Sequence, residues 1–222
     1  PQLITQAGIK VFAIAYGVKL EEAELNVSQY RTLSDFLSRR LKQGARSIDR
    51  RPKHAVSPAD GRVLNLGRIE SDTQIRVKGM NYTLASLVCD PKFAERFAGG
   101  SWFTVGLSPG DYHRVHHPVE GLIKEARYIR NRMWPVEDRA VSAVERVFGL
   151  NGRVVTLVDS PVGEVATIMV GATSIGEVSL QYHQAFRRNR RLLEGVLEVE
   201  PDQRVARGDE LGAFCLGSTV IV

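Results

Sequence analysis

The chain has 222 residues, 43% of them hydrophobic and 25% charged, a composition typical of a folded protein rather than a disordered or collagen-like one. It is long enough to bury a core without disulfides or a structural metal, and its two cysteines lie in no CxxC or Cys/His ligand spacing. The 30 basic residues exceed the 25 acidic ones by 5, which favours anionic surfaces without by itself indicating nucleic acid.

The first predicted element is a helix over residues 3–18 with a broad apolar face, interrupted by only two strongly polar residues, Gln6 and Lys10. Such a helix packs against a core or dips into a membrane interface, and the residues alone leave both interpretations open. No run approaches 18 consecutive apolar residues, so we expect no bilayer-spanning helix, and no signal peptide is evident.

A second helix is predicted to begin at an N-cap of Thr32 or Ser34 and to stop at Gly44. Its apolar stripe consists of Leu33, Phe36, Leu37 and Leu41. A basic, irregular linker over residues 46–53 follows. We therefore expect a helical N-terminal segment, residues 1–45, and a catalytic domain, residues 46–222.

From Arg62 onward the hydrophobic pattern has a period of two, in short segments rich in Val, Ile and Thr and punctuated by Gly, which predicts β-strands. Two helical interruptions are predicted, one over residues 83–88 continuing toward 97 and one over residues 137–148. Because the strands follow one another without regular helical crossovers, we expect an α+β fold with a mainly antiparallel, β-rich domain.

Three of the five histidines lie within residues 113–117. On an extended segment His113 and His117 share a face and His116 lies on the other, with no third ligand nearby, so we expect no metal site. A catalytic base is the better interpretation, because histidine titrates near neutrality without perturbation.

Two further motifs have both a structural and a chemical interpretation. Asp60, in the turn Ser57-Pro58-Ala59-Asp60-Gly61, is either a turn residue or a carboxylate that orients a histidine elsewhere. The pair Gly217-Ser218 is typical of a bulge or turn. It also has the groups that self-cleavage needs, since the serine hydroxyl can attack the uncrowded carbonyl of the preceding glycine. A nearby histidine would have to accept the hydroxyl proton.

Taken together, these motifs resemble the phosphatidylserine decarboxylases, and the resemblance covers nearly the whole chain. The two most specific blocks are the DYHRxH sequence that begins at Asp111 and the LGST sequence that contains Ser218, the form typical of the bacterial and mitochondrial branch. The other matching blocks are Tyr30-Arg31-Thr32-Leu33 with Asp35-Phe36 and Arg40, Ser57 to Gly61, Lys78-Gly79 with Tyr82-Thr83-Leu84, Leu107-Ser108-Pro109, and Val170-Gly171-Ala172-Thr173.

The resemblance implies a proenzyme in which Ser218 attacks the Gly217 carbonyl, leaving a β chain that ends at Gly217 and an α chain that begins with a pyruvoyl group derived from Ser218. Asp60 and His116 match the positions that activate the serine, and His113 matches the histidine assigned to decarboxylation. The pyruvoyl group forms a Schiff base with the substrate amine and withdraws electrons as CO₂ leaves. The implied product is phosphatidylethanolamine.

The resemblance also changes the interpretation of residues 3–18, because an enzyme for a two-chain lipid must come to the bilayer. We expect this helix to dock peripherally, at the cytoplasmic face of a bacterial membrane, helped by the excess of basic residues, of which 23 of 30 are arginine. Family members suggest a homodimer. We expect no nucleic-acid partner, because the arginines are scattered and no aromatic-interleaved patch is present.

Three features depart from the family pattern. Val136-Glu137 stands where Val-Asn is common, and Gly152 stands where Glu is common. An α chain from Ser218 to Val222 is also shorter than expected. Trp134 and Val136 are pocket residues in one interpretation and core packing in the other. Two alternatives remain open: a pyruvoyl decarboxylase of a free amino acid or another serine-linked lipid, and a non-catalytic protein that binds lipid surfaces.

Overall fold

The computed structural model describes residues 2–70, 74–77, 80–129, 152–171, 178–182, 195–197, 199–214 and 218–222. The predicted helix 137–148, the pocket residues Trp134 and Val136, and Gly217 lie outside the described residues.

The predicted N-terminal helix is confirmed as α1 (Gln2–Tyr16), which ends where Gly17 adopts a left-handed conformation with φ of 66°. Its inner face buries Ile9 against Tyr30 and Phe36 in a small cluster of its own. The second helix, α2 (Leu33–Leu37), is capped by the Thr32 hydroxyl, as predicted, but ends well before Gly44. The prediction of its length was wrong, because residues 40–42 are held extended against residues 22–24 by two backbone hydrogen bonds and a β-bridge.

The α+β class is confirmed, with the strands and two short helices following α2. These elements are β1 (Arg62–Arg68), β2 (Gln74–Val77), β3 (Met80–Thr83), α3 (Leu84–Val88), α4 (Pro91–Glu95), β4 (Ser101–Leu107), β5 (Arg114–His116), β6 (Gly121–Ile129), β7 (Arg153–Ser160), β8 (Gly163–Val170), β9 (Val178–Leu180), β10 (Gly195–Leu197), β11 (Arg204–Val205), β12 (Glu210–Phe214) and β13 (Ser218–Ile221). The helical interruption predicted for residues 83–97 is therefore confirmed as α3 and α4.

Eight of the described strands form a large antiparallel sheet in the order β1-β4-β13-β8-β7-β6-β10, with β11 also paired to β6. One face is covered by α3 and α4, whose Leu87 and Phe93 pack with Trp102 and Ile221 of the sheet. The other face is covered by a three-stranded sheet, β5-β12-β9. Buried side chains of that smaller sheet, Phe214 among them, pack in a second cluster of the core.

Candidate active site

The turn that contains Asp60 is fixed between two strands by its backbone. The His116 amide of β5 donates to the Pro58 carbonyl at 2.7 Å. Strand β1 begins two residues after Asp60, with Arg62 paired to Gly106 of β4. A Cβ at Gly61 would lie 2.5 Å from the Gly106 carbonyl oxygen, so only glycine allows this close approach. The turn therefore joins β5 to the edge of the large sheet.

Ser218 lies on β13, which is the neighbour of β4 on the side away from β1. It is the first residue of β13, and its backbone pairs with Leu107 of β4, while Thr219 pairs with both Gly106 and Val170. The side chain of Ser218 lies outside the described part of the structure. Because β1, β4 and β13 are neighbours, the backbone brings the Asp60 turn, His116 and the start of β13 into one region.

The Asp60 carboxylate is bound by an arginine. Arg46 donates from Nε to Oδ2 at 2.7 Å, its Nη2 lies 2.7 Å from the same oxygen, and its Nη1 lies 2.9 Å from Glu22. The hydrogen bond to Asp60 is the main reason that the pKa of Arg46 is raised. Among the described residues Asp60 makes no hydrogen bond to His116, so the Asp60–His116 pairing that the resemblance implies is absent from this arrangement of side chains.

The His116 ring is fixed at both nitrogens. Nδ1 lies 2.8 Å from the Gly208 carbonyl oxygen, which can only accept, so Nδ1 carries the hydrogen. Nε2 lies 3.3 Å from the Tyr112 hydroxyl, and the two rings are stacked with centroids 5.7 Å apart. Burial raises the pKa of Tyr112 to about 12, so this hydroxyl stays protonated and donates to Nε2. Nε2 is therefore the basic nitrogen of His116.

His113 is fully buried on the opposite side of the chain from His116. Neither of its ring nitrogens has a hydrogen-bond partner of ordinary geometry among the described residues, although the Leu37 carbonyl lies near enough to favour protonation. Burial, and then the positive charge of Arg39, lower the pKa of His113 to about 4. The Phe214 amide donates to the His113 carbonyl at 2.9 Å, which holds this residue against β12 shortly before residues 217–218.

An open groove of about 500 Å³ lies beside Tyr112. Its walls carry charges of both signs, with Arg40 and Glu210 facing it from the N-terminal segment and from β12. Among the described residues there is no group of three histidine, cysteine or acidic side chains that could hold a metal ion.

Comparison with known proteins identifies the family of this chain. A family model described as "Phosphatidylserine decarboxylase" matches residues 33–222. The chain belongs to the phosphatidylserine decarboxylase family. The phosphatidylserine decarboxylase proenzymes of Anaeromyxobacter sp. (strain K) and Myxococcus xanthus (strain DK1622) are each 38% identical to it, over all of this chain and 79% of their own length. The proenzyme of Psychrobacter cryohalolentis is 36% identical over 96% of this chain and 76% of its own length.

Membership of this family confirms the resemblance and makes the chain a decarboxylase. It does not assign roles, so those of Asp60, His113, His116 and Ser218 stay predictions. The departure at Gly152 lies within the described residues, where its carbonyl accepts from the Gly171 amide at 3.0 Å.

Two arginines that contact the site, Arg39 and Arg46, had no predicted role. Arg39 lies beside His113, and Arg46 binds Asp60. The only signal in the sequence was the excess of arginine over lysine after α2, which does not separate a buried arginine from a solvated one.

Proposed function

We propose that this chain is the precursor of a membrane-surface decarboxylase that cleaves itself between Gly217 and Ser218 and then converts phosphatidylserine to phosphatidylethanolamine and CO₂. The observation that carries the proposal is the pairing of the first residue of β13 with the strand beside the Asp60 turn, which is itself bonded to His116. Family membership supports the substrate and the proenzyme state.

Self-cleavage needs a base for the Ser218 hydroxyl. In our proposal Nε2 of His116 accepts that proton, while the bond from Nδ1 to Gly208 holds the ring. The serine oxygen then attacks the Gly217 carbonyl carbon, and the C–N bond breaks to give an ester and a free amine. Loss of the Ser218 α-proton then expels the Gly217 carboxylate. Water displaces the nitrogen of residue 218 as ammonia, and the new N-terminus becomes a pyruvoyl group.

Asp60 has the charge to stabilise the imidazolium that forms on His116. Because its Oδ2 is bound by Arg46, the other oxygen, Oδ1, is the one available for this task. Tyr112 must release Nε2 of His116 before the serine can use it, since one lone pair cannot accept two protons.

The pyruvoyl group supplies an electron-withdrawing carbonyl that accommodates the electron pair left by CO₂. Among the described residues His113 suits this chemistry, because it is a buried imidazole whose ring nitrogens have no hydrogen-bond partner of ordinary geometry. With a pKa of about 4 it is neutral at pH 7 and a weak base, so it holds a proton from the substrate amine only transiently during the reaction. The resulting imidazolium returns that proton to the substrate carbon after CO₂ has left.

Helix α1 supports the membrane part of the proposal. Its outer face exposes Leu3 by 81%, Ile4 by 77% and Ile14 by 83%, which is unusual for large apolar side chains unless something covers them. No helix among the described residues is long and apolar enough to cross a bilayer. We propose that α1 docks peripherally on the cytoplasmic face of a bacterial membrane. We also propose a homodimer, which sedimentation of the purified chain would test.

The decisive experiment is intact-mass analysis of the wild type and of Ser218→Ala. We expect two chains in the wild type, split before residue 218 with a carbonyl that reacts with hydroxylamine, and one uncut chain in the variant. Equal processing of both proteins would contradict the proposal.

The substrate is tested by CO₂ release from phosphatidylserine vesicles and from free serine. Release from vesicles alone supports the proposed reaction, whereas activity that needs no vesicle favours a decarboxylase of free amino acids. An uncut wild type that still binds vesicles indicates a lipid-binding protein without catalysis.

A further inference from the structure

Two arginine side chains hydrogen-bond the N-terminal segment to residues 110–114, which include His113. Arg39, just after α2, donates from Nη2 to the carbonyls of Gly110 and Asp111 at 2.8 and 3.2 Å. Arg114, directly after His113, donates in return to the carbonyls of Ser38 and Arg39 at 2.8 to 3.2 Å. We call these four residue contacts the arginine clasp. The clasp fixes the backbone on both sides of His113.

The C-terminal end of α1 also contacts the loop that precedes His113. A Cβ at Gly110 would lie 2.7 Å from the Tyr16 Cβ and 2.8 Å from the Tyr16 carbonyl oxygen. The loop that leads into His113 therefore runs in close contact with the N-terminal segment, and only a glycine fits there.

Arg39 is an unusual residue to find in such a place. It is only 5% exposed, its guanidinium lies over the Phe36 ring at 5.1 Å, and burial lowers its pKa. Its Nε and Nη1 have no hydrogen-bond partner among the described residues. A buried cation without a bonded carboxylate is costly, and its field acts on its neighbours through a medium that screens poorly.

Among the described residues, three groups act on the His113 ring besides its burial. Arg39 opposes its protonation, the Asp111 carboxylate favours it, and so does the Leu37 carbonyl. The Asp111 carboxylate is itself engaged, since its Oδ2 accepts from the Ser108 amide at 2.6 Å. Burial is the main cause of the low pKa of His113, and the positive charge of Arg39 lowers it further.

We propose that Arg39 is a positioning residue for decarboxylation, which acts through His113 by holding its loop in place with a cation beside the ring. The inference rests on the proposed function, because it assumes that a neutral His113 takes and returns the substrate proton. The N-terminal segment is then a part of the catalytic apparatus as well as a docking element.

The test compares Arg39→Gln and Arg39→Lys with Arg31→Gln, which removes an exposed arginine of the same segment that has no ion pair or hydrogen bond in the described structure. The first measurement is the pH titration of His113 by NMR in the uncut Ser218→Ala precursor, with its signal identified by loss in His113→Gln. We expect Arg39→Gln to raise the pKa of His113 by about one unit, whereas Arg39→Lys, which keeps the charge, and Arg31→Gln leave it near the Ser218→Ala value.

The second measurement is the pH profile of CO₂ release by the mature proteins. We expect the acid limb of kcat to move up by about one pH unit in Arg39→Gln only, and kcat to fall severalfold in Arg39→Lys, because an ammonium cannot reproduce the planar fork. Self-cleavage should continue in all three variants.

An unchanged His113 titration in folded Arg39→Gln, or the same shift in Arg31→Gln, would overturn the inference. The titration requires neither cleavage nor turnover, so this outcome is distinct from failure of the proposed function, which would appear as an uncut or inactive wild type. If Arg39→Gln does not fold, a wild-type kcat in Arg39→Lys overturns the positioning role.

Discussion

Two buried histidines, His113 and His117, make this fold sensitive to acid. Burial is the main cause that lowers the pKa of His117 to about 4, as it does for His113, and the charge of Asp209 only partly opposes it. In the unfolded chain both rings have ordinary pKa values near 6.5. Between pH 6.5 and 4 the unfolded state therefore binds protons that the folded state does not, so stability falls as the pH falls.

His117 provides the cleaner test, because the proposed chemistry does not use it. We expect wild-type protein to lose about 2 kcal/mol more of its free energy of unfolding between pH 7 and pH 4.5 than His117→Gln loses, at roughly 1.4 kcal/mol per pKa unit. Urea unfolding at a series of pH values measures this. The control variant is His54→Gln, at a ring that is 43% exposed. Parallel slopes for wild type and His117→Gln would contradict the assignment.

At this scale the sequence predicted which residue types matter but not their partners. His113, His116 and Asp60 stood out through short motifs that are visible along the chain. The contacts of Arg39 with Gly110 and of Arg46 with Asp60 join residues 71 and 14 positions apart, and only the fold brings them together.

At the scale of elements, α1 combines two roles that its sequence pattern left open. Its inner face packs in a small cluster around Ile9 and Phe36, while its outer face remains apolar and exposed. The hydrophobic pattern predicted the helix because its period is local. The pattern could not predict that α2 stops early, since the pairing of residues 40–42 with 22–24 replaces its last turns.

The outer face of α1 yields a prediction about vesicle binding. We expect Ile14→Glu to weaken binding to vesicles that contain phosphatidylglycerol by about tenfold or more, because a large apolar side chain contributes about 2 kcal/mol when it leaves water. Its thermal midpoint should stay near that of the wild type, since Ile14 is 83% exposed.

Vesicle co-sedimentation measures the binding, and Ser28→Glu, which adds the same charge to an exposed position of the segment, is the control. Equal losses in both variants would mean that charge, not apolar contact, sets the affinity.

At the scale of the whole molecule, the antiparallel class was predictable but the order of the strands was not. The alternation of apolar residues marks each strand, whereas the choice of neighbours depends on packing between distant parts of the chain. The last strand, β13, thus lies between β4 and β8 rather than at an edge. Its Val220 and Ile221 are buried on opposite faces of the large sheet.

This position predicts how the cleaved protein behaves. We expect the fragment that begins at residue 218 to remain bound after cleavage, because both neighbouring strands hydrogen-bond to it and its side chains are buried. Native mass spectrometry should therefore give a mass close to twice that of the uncut chain for the proposed homodimer, and denaturing conditions should give two separate fragment masses. Release of the fragment under native conditions would argue against β13 as a central strand in the mature protein.

The arginine clasp limits how the exposed apolar surface of α1 can be removed to make a variant that is easier to handle in water. Trimming the first 45 residues would remove the hydrophobic surface, but it would also take Arg39 away and deprive the Arg114 guanidinium of the Ser38 and Arg39 oxygens. Replacing the outward side chains of α1 with polar ones leaves those contacts intact. Re-surfacing rather than truncation is the route that this architecture permits.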